Sequence, residues 1–78
     1  MGGARSVEFL AGHKIAVELE NGSSFIYDLA PKLDTIRFAA LKDTELFGRG
    51  TLIRKDHIRW TDTLVIYVHE MLDGMKRM

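Results

Sequence analysis

The chain has 78 residues, no cysteine and a formal net charge of zero, with 11 basic and 11 acidic residues. A domain of this size buries only about 60–65% of its unfolded surface, so it depends on its apolar residues or on a face covered by another chain. Balanced charge argues against a non-specific nucleic-acid binder, and no apolar run approaches the roughly 18 residues of a membrane span. We expect one cytoplasmic domain over residues 1–78, with residues 1–5 flexible and no membrane contact.

Alternating apolar residues predict two strands at the N-terminal end. Residues 7–9 alternate, and residues 11–13 offer a turn. Ile15, Val17 and Leu19 then alternate with polar or small residues, which is typical of a half-buried strand.

The Asn21-Gly22 pair precedes the aromatic residues Phe25 and Tyr27, and this arrangement predicts a hairpin. A two-residue turn and a three-residue loop would bury opposite faces, because a one-residue slip exchanges the faces of a strand. The three-residue loop, with Gly22 in the left-handed region, gathers five large apolar side chains on one face, whereas the two-residue turn gathers four. We therefore expect the three-residue loop, with Ile26 on the opposite face.

The middle of the chain is predicted to be helical over a short stretch. Pro31 suits the first turn of a short helix, because no amide donor is lost there. Residues 36–41 contain good helix formers, with Asp34 or Thr35 as the expected cap. A further single turn is expected over residues 45–47.

A second hairpin is predicted with a two-residue turn at positions 55–56. This register places Ile53 opposite Ile58, and Trp60 falls on the same apolar face. That position favours a core role for Trp60 over a role as a binding anchor.

A last strand and an amphipathic helix are predicted at the C-terminal end. Residues 64–66 form an apolar, strand-sized run. The i, i+3, i+4, i+7 spacing of an amphipathic helix then appears at Val68, Met71, Leu72 and Met75. The element order predicts an α+β fold, with one small, mainly antiparallel sheet of two hairpins plus a last strand, a short middle helix and a C-terminal amphipathic helix.

The polar residues form no recognisable catalytic or metal-binding motif. The histidines, His13, His57 and His69, share no metal-ligand spacing. His69 and Asp73 share a helix face, but a competent metal site needs three or four ligands, so we expect a solvated face. No motif brings two carboxylates together, and the serines lack a nucleophile elbow. We expect no enzyme, no metal and no cofactor.

Charge is segregated along the chain. Arg54, Lys55 and Arg59 lie in the second hairpin, and in the expected register Arg54 and Arg59 project from one face. Such a face is either a solvated surface or a contact for an acidic protein, DNA or RNA. Asp28, at the end of a strand, is either the cap of the turn through residues 29–31 or a ligand contact, and the cap is favoured.

A series of short motifs runs along most of the chain, from about residue 7 to residue 72. In order they are Leu19-x-Asn21-Gly22, Tyr27-Asp28-Leu29, Pro31, Phe38-x-x-Leu41-Lys42-Asp43, Leu46-Phe47 and Ile58-x-Trp60. Their order and spacing resemble the small bacterial domain-of-unknown-function family two-four-four-two. The signature residues are mainly hairpin, cap and core types: Asn21, Gly22, Pro31, Phe38, Leu41, Phe47 and Trp60.

The resemblance implies a bacterial α+β domain that occurs alone or ahead of a helix-turn-helix DNA-binding domain. Some members are encoded beside other small proteins and have been discussed as parts of toxin–antitoxin-like pairs. No catalytic residue is established for the family. We therefore expect a non-enzymatic interaction module that binds a small partner protein or forms a homo-oligomer. The alternatives are a nucleic-acid-associated regulatory factor that uses the basic strand face and a small-ligand binder.

Overall fold

The computed structural model describes residues 3–76, with side chains described as far as Gly74. The strands are β1 (Ala4–Leu10), β2 (Lys14–Leu19), β3 (Ser24–Asp28), β4 (Thr51–Ile53), β5 (His57–Thr61) and β6 (Leu64–Tyr67). The α-helices are α1 (Thr44–Phe47) and α2 (Val68–Lys76), and two 3₁₀ turns cover Ala30–Lys32 and Ala39–Lys42.

The strands form two antiparallel sheets of three strands each, in the orders β1-β2-β3 and β4-β5-β6. The antiparallel pairing and the mixture of strands and helices agree with the expected α+β class, but the expectation of a single sheet is wrong. Each sheet is a meander of consecutive strands, and the connection over residues 29–50 separates the two meanders. Apolar residues from both sheets and from the connection pack into one core.

The first sheet begins earlier in the chain than expected. Ala4 is fully buried in β1, and its N–H donates to the main-chain oxygen of Lys55 at 2.7 Å. The Gly3 oxygen accepts from the Glu20 N–H at 3.0 Å. Ala4 and Arg5 thus belong to β1, which begins ahead of the strand that we expected from residue 7. Residues 1 and 2 lie outside the described part of the chain.

The first hairpin has the expected three-residue loop. Val17 lies opposite Phe25, and Ile15 lies opposite Tyr27. Gly22 has φ +92°, in the left-handed region that glycine adopts without a steric penalty. The buried face carries Ile15, Val17 and Tyr27, so the hydrophobic pattern does select the register.

The second hairpin differs from the expected register by one residue. Leu52 lies opposite Ile58, and Ile53 lies opposite His57, so the loop has three residues. Two of these loop residues, Arg54 and Lys55, have positive φ values of 54° and 66°. The slip is possible because Leu52 and Ile53 are both apolar, and either can face the core. It removes Arg54 from the strand face that we expected it to share with Arg59.

The connection between the sheets is less helical than expected. Residues 36–41 form turns and the start of the second 3₁₀ turn, and neither Asp34 nor Thr35 caps a helix there. Ile36 is 99% exposed, so an apolar helical stripe does not form in this segment. Asp43 instead caps α1, where its carboxylate accepts from the Glu45 N–H at 3.0 Å.

The C-terminal helix α2 packs its first turn into the core. Val68 and Met71 are buried, and Leu72 is half-buried against them. The side chain of Met75, which we expected on the same face, lies outside the described side chains. Glu70 accepts a hydrogen bond from the Tyr67 N–H at 2.9 Å, which satisfies a donor at the start of the helix.

Candidate interaction surface

The family-like signature residues are mostly structural. Asn21 accepts from the Ser23 N–H at 2.9 Å and so holds the first hairpin loop. Pro31 lies in the first 3₁₀ turn, as its fixed φ favours. The other signature residues pack in or against the core: Phe38, Leu41, Phe47 and Trp60.

An aromatic cluster joins the two sheets. The ring centroids of Phe9 and Phe47 lie 5.2 Å apart, edge to face, and Trp60 lies 6.1 Å from Phe9. The Trp60 indole N–H donates to the main-chain oxygen of Phe47 at 2.8 Å. Trp60 is half-buried and packs against the core, so it supports the fold.

The three basic residues of the second hairpin do not form one free surface. Lys55 donates to the Glu20 carboxylate at 2.6 Å, and this bond is the main reason that the pKa of Glu20 lies below its ordinary value. Arg59 forms an ion pair with Asp62. Arg54 lies in the exposed loop. The positive charges of Lys55 and Arg59 are therefore partly neutralised by neighbouring carboxylates.

Asp28 closes a turn at the end of β3. Its carboxylate accepts from the Ala30 N–H at 3.0 Å, at the start of the first 3₁₀ turn. This hydrogen bond is the one that the sequence favoured. The exposed Asp28 side chain also lines an apolar groove beside β3.

The outer edge of β3 carries main-chain groups that point away from its own sheet. The Leu19 N–H donates to the Ser23 oxygen, and the Leu29 N–H donates to the His13 oxygen. In an antiparallel pair the hydrogen-bonded positions alternate, so the odd-numbered residues of β3 bond to β2. The even-numbered residues direct their N–H and C=O groups outward: Ser24, Ile26 and Asp28. Within residues 3–76, no other main-chain group bonds to them.

An apolar groove of about 560 Å³ runs beside this edge. Ile26 and Tyr27 line it from β3, Pro31 lines it from the first 3₁₀ turn, and Gly74 lines it from α2. The buried position of Tyr27 raises the pKa of its hydroxyl. Ile26 is 56% exposed, although it is a large aliphatic residue at the centre of the strand. The groove and the edge together make a surface that is apolar and rich in main-chain hydrogen-bonding groups.

The other three sheet edges are protected by devices that the centre of β3 lacks. β1 contains a register irregularity between Ala4 and Ser6 and carries Arg5 and Glu8 along its length. β4 has only three residues. In β6 the oxygen of Val65 accepts from the Arg37 guanidinium at 2.6 Å. Sheet edges are usually blocked by bulges, charges, short strands or covering groups. The centre of β3 has none of these and carries the exposed Ile26 instead.

Arg37 and Glu70 form an ion pair that we did not expect from the sequence. The Arg37 guanidinium donates to both carboxylate oxygens of Glu70, at 2.8 and 2.9 Å. This bond lowers the pKa of Glu70 to about 2, despite the opposing effect of partial burial. The two residues are 33 positions apart, so no local spacing could have indicated the pair.

The histidines are not gathered into a metal site. The His57 and His69 rings both lie near Tyr67, with centroids 4.9 and 5.5 Å from its ring. His13 approaches the main-chain oxygen of Leu41 at 2.8 Å instead. Over the described residues, no group of three or more His, Cys, Asp or Glu side chains is placed to hold a metal ion. No helix in that part of the chain is long and apolar enough to cross a membrane.

The fold and the open edge define a small α+β domain built from two three-stranded antiparallel meanders. A family model described as "Protein of unknown function (DUF2442)" matches residues 4–77. The chain belongs to this family, which confirms the resemblance seen in its motifs. Neither the curated proteins nor the solved structures gave a match to the chain.

Proposed function

We propose that this protein is a non-enzymatic interaction module that binds a partner protein by receiving an extended strand along β3. The observation that carries the proposal is the outer edge of β3, where the main-chain groups of Ser24, Ile26 and Asp28 point outward beside an apolar groove. In strand addition, main-chain hydrogen bonds supply affinity and side-chain pockets supply specificity. The edge of β3 offers the main-chain hydrogen-bonding groups, and the groove offers a pocket for side chains.

Exposure of Ile26 supports the same conclusion. Ile26 is 56% exposed in the middle of a free edge, where natural sheets usually place a charged residue that discourages pairing. An exposed aliphatic side chain at this position favours association with another strand. Burying such a side chain contributes about 1–2 kcal/mol to association. A partner that covers this strand would bury Ile26 and satisfy the outward main-chain groups in a single contact.

As part of this proposal we place the module in the bacterial cytoplasm, where the cysteine-free composition is suited to a reducing environment. A toxin–antitoxin-like or other regulatory pair is the arrangement that we favour for it. Strand addition from another chain, either a small second protein or a second copy of this one, would also compensate for the limited core of a 78-residue chain.

The nucleic-acid alternative has less support. Phosphate binding requires cations that are available to the backbone, and both Lys55 and Arg59 already contact carboxylates. Arg54 projects from a loop rather than from the strand that carries Arg59. A small-ligand binder is the other alternative, but the apolar groove is open along a strand edge, as an extended peptide would require.

The test is a tagged pull-down from native extract, with and without nuclease, using the wild type and two matched variants. Ile26→Lys places a charge on the edge of β3, whereas Ile36→Lys makes the same change at an exposed isoleucine outside the β3 groove. We expect a stoichiometric protein that survives nuclease, is retained by Ile36→Lys and is lost from Ile26→Lys. Retention that disappears with nuclease, or that is unaffected by Ile26→Lys, would refute the proposal.

A further inference from the structure

We infer that the strand received by β3 is β3 of a second copy of this chain, antiparallel to the first and related to it by a two-fold axis at Ile26. This inference rests on the proposed function and names its partner. It makes a continuous six-stranded sheet from two three-stranded ones.

The hydrogen-bonding pattern selects this axis. With the axis at Ile26, Ile26 faces Ile26 of the second copy, and Ser24 faces Asp28 of the second copy. All the outward-pointing residues of β3 then form hydrogen-bonded pairs. An axis at residue 25 leaves Asp28 without a partner, and an axis at residue 27 leaves Ser24 without one. Of these three axes, the one at Ile26 therefore provides hydrogen-bond partners for the largest number of outward main-chain groups.

The outward face of the sheet is self-complementary in this register. Across β1, β2 and β3 the central row reads Glu8, Ala16, Ile26. The axis joins two such rows at their isoleucines, so the two exposed aliphatic side chains cover each other. In the neighbouring rows, the Asp28 carboxylate of one copy meets the Ser24 hydroxyl of the other copy. Within each copy, Lys14 of β2 lies beside Asp28. Two carboxylates placed opposite each other would destabilise the pairing, and in this register no carboxylate faces another across the junction.

The core-side face of β3 supports the same arrangement. The odd-numbered residues Phe25 and Tyr27 point to this face, and the two-fold axis places Phe25 of one copy opposite Tyr27 of the other. Phe25 is half-buried, and Tyr27 lines the groove. The second copy thus brings an aromatic side chain to the groove, and aromatic cross-strand pairs are among those that stabilise antiparallel sheets.

The direct contact between identical residues gives a sharp test by sedimentation equilibrium over a range of protein concentrations. Ile26→Lys and Ile26→Asp each place like charges opposite each other at the axis, so each variant alone should dimerise at least ten times more weakly than the wild type. An equimolar mixture of the two should recover the dimer, because lysine then faces aspartate. Ile36→Lys is the matched control and should dimerise like the wild type. Circular dichroism of each variant establishes that the monomer is folded.

Each outcome decides the inference. A wild-type dimer that is lost in both variants and recovered in the mixture supports it. A wild type that stays monomeric at several hundred micromolar, a mixture that does not recover, or a loss of equal size in Ile36→Lys overturns it. If the chain is monomeric but captures a different protein in a way that depends on Ile26, the inference fails and the proposed function stands. If it is monomeric and captures nothing, both fail.

Discussion

The indole N–H of Trp60 donates to the main-chain oxygen of Phe47 at 2.8 Å, and the two rings are nearly parallel, with centroids 6.3 Å apart. This contact links β5 to the single turn of α1, and Phe9 of β1 packs on both rings. The second sheet, the connection and the first sheet therefore meet at one aromatic cluster. The stability of the domain should be sensitive to small changes there.

Trp60→Phe should lower the free energy of unfolding by about 1–3 kcal/mol, because it leaves the Phe47 oxygen without its donor and creates a small cavity. Urea denaturation followed by circular dichroism measures the change. Ile36→Phe, at a residue that is 99% exposed, is the control and should change stability by no more than about 0.5 kcal/mol. A Trp60→Phe variant as stable as the wild type would show that this hydrogen bond contributes nothing to the fold.

Gly50 is required by close packing against the same cluster. A Cβ atom at this position would lie 2.6 Å from the Trp60 indole nitrogen and 2.7 Å from the Phe9 ring. Gly50→Ala should therefore destabilise the protein by about 1–3 kcal/mol through overpacking. Gly48→Ala is the control, since its Cβ would meet nothing closer than 3.6 Å. Thermal unfolding should place Gly50→Ala well below Gly48→Ala, and equal midpoints would contradict this explanation.

Gly22 is required for a different reason, which is its backbone angle. Its φ is +92°, and a Cβ added there would meet no atom within 4 Å. Gly22→Ala should therefore cost about 1–2 kcal/mol through backbone strain alone. Gly22→Asn should cost less, because asparagine tolerates the left-handed region better than alanine does. Denaturation midpoints that rank alanine above asparagine would refute this origin of the cost.

Stability should depend on the ionisation of Glu70 at acidic pH. The pKa of Glu70 is about 2 in the folded chain, below its ordinary value of 4.5, chiefly because Arg37 donates to the carboxylate. A lowered folded-state pKa means that the stabilisation is complete above pH 4.5 and is lost as the pH falls through about 2. Both side chains are partly exposed, so solvent screening reduces the effect to about 1 kcal/mol.

Glu70→Gln removes the titrating group while keeping its size. The free energy of unfolding of the wild type should fall more steeply than that of Glu70→Gln between pH 4.5 and pH 2. Comparing the two proteins also removes the contribution of Glu20, whose pKa is lowered as well and which is present in both. Parallel pH profiles would contradict a role for the Arg37–Glu70 pair.

The two hairpins show where sequence reasoning succeeds and where it fails. In the first, a glycine marks the position of positive φ, and one register gathers five large apolar side chains on a single face, whereas the other gathers four. In the second, the positive φ values fall on Arg54 and Lys55, which give no such signal. Leu52 and Ile53 are adjacent and apolar, so the hydrophobic pattern allows either register.

The candidate surface could be predicted only in part. The register of the first hairpin places Ile26 on the outward face, and this can be read from the sequence. That β3 lies at a sheet edge cannot be read in the same way, because strand order depends on contacts between distant residues. The division of the strands into two sheets leaves β3 without a second neighbour among the described residues.

The most direct test of the account is amide hydrogen exchange along β3, measured residue by residue in the assembled protein and in the monomeric Ile26→Lys variant. The amides of Phe25 and Tyr27 bond to β2 and should be protected in both states. The amides of Ser24 and Asp28 point outward and should exchange quickly in the monomer but slowly in the assembly. If they exchange equally fast in both states, β3 does not receive a strand and the central claim is wrong.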